Sequence, residues 1–186
     1  MNEWNQKFDA MQHYNLTAKT YDLQYAEEQK VKIETALKNV KLPENSLILD
    51  IGCGTGLLFE YVADKAEMVV GLDISKKILE QAGKRALKFG NVHLVLADAD
   101  HAPFKNETFS HLFAITLLQN MSNPEKTLAE IKRVAKREAL IIVTGLKKKF
   151  SAEYLEGLLR KLDLNIVEIK DGNQALKCYV AVCMKS

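Results

Sequence analysis

The run Ile48-Leu49-Asp50-Ile51-Gly52-Cys53-Gly54-Thr55-Gly56-Leu57-Leu58 constrains the fold more than any other part of the chain. An apolar segment ends in an acid. Glycines follow at alternate positions, and an apolar segment of helical character begins after them. This is the pattern of a buried strand that turns sharply into a helix. The turn needs backbone angles closed to residues with a Cβ, and a bulky ligand needs close approach to the main chain. The helix after the turn starts with free N–H groups.

Repetition of the strand-and-helix unit sets the fold class. Leu47–Ile51, Met68–Asp73, Val92–Ala97, Phe109–Thr116 and Ala139–Gly145 read as strands. Helices are expected between them over Leu57–Ala66 and Lys76–Phe89, with Ser75 as a cap, and from Ser122-Asn123-Pro124 onward. Ser151 caps a further helix to about Leu162. Short, wholly apolar strands alternating with helices predict a parallel sheet covered on both faces. Asn165–Lys170 and Lys177–Met184 close the chain. Asp171-Gly172-Asn173 leaves no room for a helix between them, so this pair is a hairpin and one late strand runs antiparallel. The expectation is therefore an α/β, doubly wound, mostly parallel sheet.

Residues 1–40 precede this pattern and read as two helices carrying Trp4, Phe8, Tyr14, Tyr21 and Tyr25. They pack on the core, cover the mouth of the glycine turn as a lid, or do both. With 186 residues, 47% of them hydrophobic, one domain over residues 1–186 is the expectation. The start of the chain lacks the apolar segment of a signal peptide. No apolar stretch reaches the ~20 residues of a membrane span. Cys53, Cys178 and Cys183 have no metal-ligand spacing. Their odd number fits a reducing, cytoplasmic location. The odd separation of the last two puts them on opposite strand faces.

Three successive strands end in Asp50, Asp73 and Asp98. Ligands in such sheets bind outside the carboxyl ends of the strands. Asp73 follows Gly56 by 17 residues, near where nucleoside-binding sheets set an acid on ribose hydroxyls. A carboxylate accepts both hydrogens of a vicinal diol. Ile74 offers an apolar surface to an adenine face, and Asp98 is placed to accept from the adenine amino group, with the main chain at Ala99 contacting the ring.

Leu49-Asp50-Ile51-Gly52-Cys53-Gly54-Thr55-Gly56, Gly71-Leu72-Asp73-Ile74-Ser75 and Asp98-Ala99-Asp100-His101-Ala102-Pro103-Phe104 with Phe109 together resemble the class I S-adenosylmethionine-dependent methyltransferases. The likeness extends through Gly145 to the closing hairpin. It implies a Rossmann-like sheet of seven strands in the order 3-2-1-4-5-7-6, the last antiparallel. It also implies S-adenosyl-L-methionine as cofactor and S-adenosyl-L-homocysteine as product. Asp50 and the loop Gly52, Cys53, Gly54 and Gly56 would meet the methionine portion, Asp73 the ribose, and Asp98 with Ala99 the adenine. Main-chain groups of Thr116 and Leu117 would flank the methionine end. Tyr21-Asp22, with Tyr14 near it, resembles the family's N-terminal Tyr-Asp pair. The fourth strand departs from the family in having Ser110 where an acid is usual, which bears on local structure more than on activity.

A nicotinamide site would need G-x-G-x-x-G. Here position 57 is Leu57 and the third glycine comes one residue early. No basic residue for a pyrophosphate lies between Asp50 and Tyr61. Both facts disfavour a dehydrogenase. In-line transfer from a sulfonium needs alignment and exclusion of water. A dedicated base is optional, and no catalytic residue is assigned. Gln119 and Asn120 either orient an acceptor or cap a helix. His111 reads as a core histidine. Lys132-Arg133 and Lys136-Arg137 read as the wet face of a helix, whereas Lys147-Lys148-Lys149 stands where an RNA acceptor would enter. No inserted substrate domain is visible, so a small-molecule acceptor is expected. The alternatives are RNA or protein methylation with a partner, and a cofactor-binding subunit without transfer activity.

Overall fold

The computed structural model describes residues 3–171 and 176–186. Two helices open it: α1 (Glu3–Thr17) and α2 (Tyr21–Leu37). The alternating section follows with β1 (Leu47–Ile51), α3 (Phe59–Val62), β2 (Met68–Asp73), α4 (Lys76–Ala86), β3 (Val92–Leu96), β4 (Phe109–Ala114), α5 (Pro124–Val134) and β5 (Ala135–Leu146). It closes with α6 (Ala152–Lys161), β6 (Leu164–Lys170) and β7 (Cys178–Lys185).

All seven strands form one sheet in the order β3-β2-β1-β4-β5-β7-β6. The pairs among β1 to β5 are parallel, and β7 runs antiparallel between β5 and β6. Residues Gly172 and Asn173 of the expected hairpin turn lie outside the described residues.

Strand side chains alternate between two cores. Leu49, Ile51, Leu72, Leu112 and Ile141 pack against α5 and α6. Ile48, Val69, Phe113 and Ile142 pack against α2, α3 and α4. Ser75, Asn123 and Ser151 cap α4, α5 and α6, each side chain accepting a backbone N–H of its helix.

Element ends differ from the sequence expectation for local reasons. The helix expected over Leu57–Ala66 is a single α-turn followed by a 3-10 turn, Ala63–Lys65. The helix expected to reach Phe89 stops at Ala86. The fourth strand ends at Ala114 because Thr116 has φ 63°, outside the extended region. The fifth starts at Ala135, directly after α5. Lys136-Arg137 was expected on the wet face of a helix with Lys132-Arg133, but the helix stops at Val134 and residues 136–138 are an irregular, exposed stretch of strand in which Glu138 has φ 59° and the register against β4 shifts.

Ser110 stands where an acid was expected, and it is structural. Its hydroxyl accepts from Leu47 N at 3.0 Å and donates to Leu47 O at 3.2 Å. The neighbouring His111 is buried, with Nδ1 3.1 Å from Ser110 Oγ and Nε2 3.0 Å from Lys41 O. Burial lowers its pKa. It serves as a core histidine.

Candidate active site

The turn after β1 is built as the glycines require. Gly52, Gly54 and Gly56 have φ of 73°, 55° and 78°. A Cβ on Gly56 would sit 2.3 Å from the Phe59 ring, whereas one on Gly54 would meet no protein atom within 4 Å. Gly56 therefore lets α3 fold back, and Gly54 leaves an open approach to the main chain. Asp73, at the end of β2, accepts from Gly54 N at 3.0 Å and from Ser75 N at 2.9 Å. One carboxylate thus braces the loop and keeps lone pairs for a ligand diol.

These groups open onto a cleft of about 740 Å³ at the carboxyl ends of the strands. Tyr14, Tyr21, Gly52, Gly54, Asp73, Ile74, Asp98, Ala99, Thr116 and Leu117 line it. A smaller hollow of about 370 Å³ continues under α2, lined by Asp50 and Cys53 together with Tyr21 and the loop. Gly56 lines neither; its work is the turn.

Asp50 is 3% exposed, and its carboxylate has no hydrogen-bond partner among the described residues. Burial, reinforced by the charge of Asp73, pushes its pKa up to about 8. Burial also raises Asp73, against the backbone donors that lower it. A buried acid beside a ligand hollow can ionise against a cationic ligand group, whose charge would lower its pKa. The Tyr14 hydroxyl accepts from Asn120 Nδ2 at 2.8 Å. Burial and Asp73 raise its pKa, so it stays a phenol at neutral pH. The Tyr14 and Tyr21 rings meet edge-on, 6.1 Å between centroids. The donor set therefore fits an adenosyl sulfonium ligand: an acid for the diol, an apolar face at Ile74, and aromatics with an unpaired acid for positive charge.

The two N-terminal helices contribute more than the sequence indicated. Lys7 of α1 reaches Asp98, a protein partner that the sequence reading of this acid did not include. Lys32 and Gln29 of α2 reach Thr116. Asp22 accepts from the Thr55 hydroxyl at 2.6 Å and pairs with Arg85 of α4 at 3.0 Å. Lys7, Ala10 and Tyr14 recur at helical spacing and all line the cleft, so the face was readable once Tyr14 was placed. Of the three lysines considered for RNA, Lys147 pairs with Asp171 at 2.6 Å and Lys149 donates to Gln119 O at 2.7 Å. Lys148 is exposed.

A glycine turn after β1, acids at the ends of β1 and β2 and beyond β3, and a 3-2-1-4-5-7-6 sheet define a class I S-adenosylmethionine-dependent methyltransferase. A sequence profile for the family described as "Methyltransferase domain" matches residues 49–143, just over half of the chain. The chain belongs to this family. It is 28% identical over 174 residues to the demethylmenaquinone methyltransferase of Tropheryma whipplei, covering 90% of this chain and 72% of that one. It spans about half the length of two other curated relatives, 52% and 50%. Among solved structures, the methyltransferase in a complex with the Haloferax volcanii Trm112 methyltransferase activator has a TM-score of 0.83 at 15% identity, covering 92% of this chain and 96% of that one. Magnesium protoporphyrin IX methyltransferase from Synechocystis, solved with bound S-adenosylmethionine, has a TM-score of 0.79 at 16% identity over 97% of each chain.

Proposed function

We propose that this chain transfers a methyl group from S-adenosylmethionine to a small, uncharged and largely apolar acceptor. The observation that carries this reading is that Asp73, Asp98 and the open face of Gly54 line one cleft, while Asp50 lines an adjoining hollow that shares Tyr21, Gly52, Gly54 and Ile115 with it. Asp73 would hold the ribose, Ile74, Asp98 and Ala99 the adenine. Asp50, Gly52, Cys53 and the main chain at Thr116 and Leu117 would hold the methionine portion. The cofactor supplies an electrophilic methyl on a sulfonium centre. The protein aligns the acceptor and excludes water. Residues 1–40 act as the lid, with Tyr14 and Tyr21 against the cofactor.

Tyr14, a phenol held by Asn120, can donate to an acceptor but is a poor base at neutral pH. The acceptor therefore brings its own nucleophilic atom. The lysine lining the cleft, Lys7, is already neutralised by two carboxylates, which disfavours an anionic acceptor. Ile115, Leu117 and Met121 give the wall an apolar character. The quinone named for the Tropheryma relative is a small molecule of this kind. No helix of the described residues is long and apolar enough to cross a membrane, and three buried free thiols suit the cytoplasm.

Calorimetry with S-adenosylmethionine tests the cofactor; binding that is absent, or unchanged in Asp73→Ala, overturns the reading. Transfer of labelled methyl groups into fractionated small molecules, RNA and protein tests the acceptor. Label in the small-molecule fraction is the expected result.

A further inference from the structure

The purine end of the cleft holds a buried cation. Lys7 lies on the cleft face of α1 and is only 7% exposed. Its Nζ is 2.6 Å from Asp98 Oδ2 and 2.5 Å from Asp100 Oδ2. The Asp100 side chain is fully buried and also accepts from the Thr127 hydroxyl at 2.5 Å. Its Oδ2 faces no other partner among the described residues. Asp98 Oδ1 accepts from Asp100 N at 3.0 Å. The lysine thus bridges two carboxylates, one wholly inside the protein and one open to the cleft.

This bridge fixes what Asp98 can recognise. An ionised carboxylate only accepts hydrogen bonds; a protonated one also donates. Burial favours the proton on Asp98, but the ammonium and the Asp100 N–H outweigh it and hold the carboxyl below its usual range. Two of its four acceptor positions are used by these protein donors. The remaining positions suit an exocyclic amino group. A carbonyl oxygen in the same place would face lone pairs and no donor. Without the lysine, Asp98 would keep its burial and lose the cation that opposes it, which favours a proton on its carboxyl. Asp98 would then offer an O–H to a carbonyl.

We infer that Lys7 determines purine specificity: it fixes Asp98 as an acceptor-only group, so that the cleft selects an amino-bearing purine over its deaminated, carbonyl-bearing counterpart. Lys7 is a positioning residue that acts through Asp98. The inference rests on the reading of this cleft as the S-adenosyl site.

The test is calorimetry with S-adenosylhomocysteine and S-inosylhomocysteine on the wild type, Lys7→Met and Lys7→Arg. The wild type should prefer the adenosyl ligand by about 30-fold, since a site built for an N–H rejects a ligand lacking it. Lys7→Met should weaken adenosyl binding about tenfold and shrink the preference to a few-fold, because the lost donor is charged. Lys7→Arg should restore most of both. Lys7→Gln carries the same comparison should Lys7→Met not fold. A neutral variant that keeps the wild-type ratio overturns the inference, whether its affinities hold or fall together; Lys7 would then merely tie α1 down. A wild type that binds neither ligand overturns the cofactor reading itself, and this inference with it.

Discussion

The Thr116 hydroxyl donates to Gln29 Oε1 at 2.9 Å, joining the turn after β4 to α2. The same oxygen lies 3.2 Å from Lys32 Nζ, and Thr116 N donates to Thr144 Oγ1 at 2.7 Å. These bonds hold a β-branched residue at φ 63°, a conformation that costs of order 1 kcal/mol or more. Thr116→Ala keeps most of the strain and leaves Gln29 and Lys32 short of a partner, a loss of about 2 kcal/mol. Thr116→Gly releases the strain and should lie about 1 kcal/mol above the alanine variant. Urea unfolding of the two decides the order; alanine above glycine would show that the strain is negligible.

Asp50 makes stability fall with pH. Its folded-state pKa of about 8 stands above the unfolded value near 4. The folded protein therefore holds a proton that the unfolded chain releases. Its stabilisation is complete below about pH 4 and is lost as pH rises to about 8. Asp50→Asn lacks this slope, so its denaturation midpoint should gain on the wild type between pH 5 and 8. Parallel curves would sink the idea. A cationic ligand beside Asp50 lowers its pKa, so S-adenosylmethionine binding at pH 7 should release a proton in the wild type and none from Asp50→Asn. Calorimetry in buffers of different ionisation enthalpy measures that proton directly.

The glycines of the loop should separate by phenotype. Gly54→Ala meets no atom of the described residues within 4 Å beyond its chain neighbours, while Gly56→Ala drives a methyl into the Phe59 ring. Both have positive φ and share a backbone cost of about 1 kcal/mol. Gly54→Ala should melt near the wild type and lose ligand affinity at least tenfold. Gly56→Ala should lose a further ~1–3 kcal/mol from overpacking. Thermal melts with and without S-adenosylhomocysteine distinguish them.

Arg85 links α2 to the loop. It pairs with Asp22 and Glu60, each at 3.0 Å, and donates to Thr55 O. Both acids are more than a third exposed, so Arg85→Ala should cost no more than about 1 kcal/mol globally. Locally, hydrogen exchange over residues 21–25 should quicken and ligand affinity should drop several-fold. Unchanged exchange there would exclude this role.

Asp50, the glycines, Asp73 and Asp98 were legible because a strand-to-helix turn and strand-end acids are local patterns with fixed chemistry. Lys7 and Lys32 were not. A lysine on a surface helix ordinarily points to water, and only docking of α1 and α2 across the strand ends encloses these two, Lys32 to 2% exposure. The buried stripe of α2 is polar at Gln29 and Lys32, which reach Thr116 beyond β4, and apolar at Ile33 and Ala36, which join the core. Lys136-Arg137 hid the start of β5 for a related reason: charge suits the exposed, irregular end of a strand as well as it suits the wet face of a helix.

The odd spacing of Cys178 and Cys183 has a practical consequence. One sulfur belongs to the α2–α4 side of the sheet and the other to the α5–α6 side. Burial pushes these thiols up to about 11 and about 12, so each reacts only when its layer opens. Cys53, in the glycine turn, is buried as well. The chain thus carries its own set of chemical clocks. Timed alkylation read residue by residue would report which helical layer peels away first, and whether an occupied cleft slows the clock at Cys53 alone.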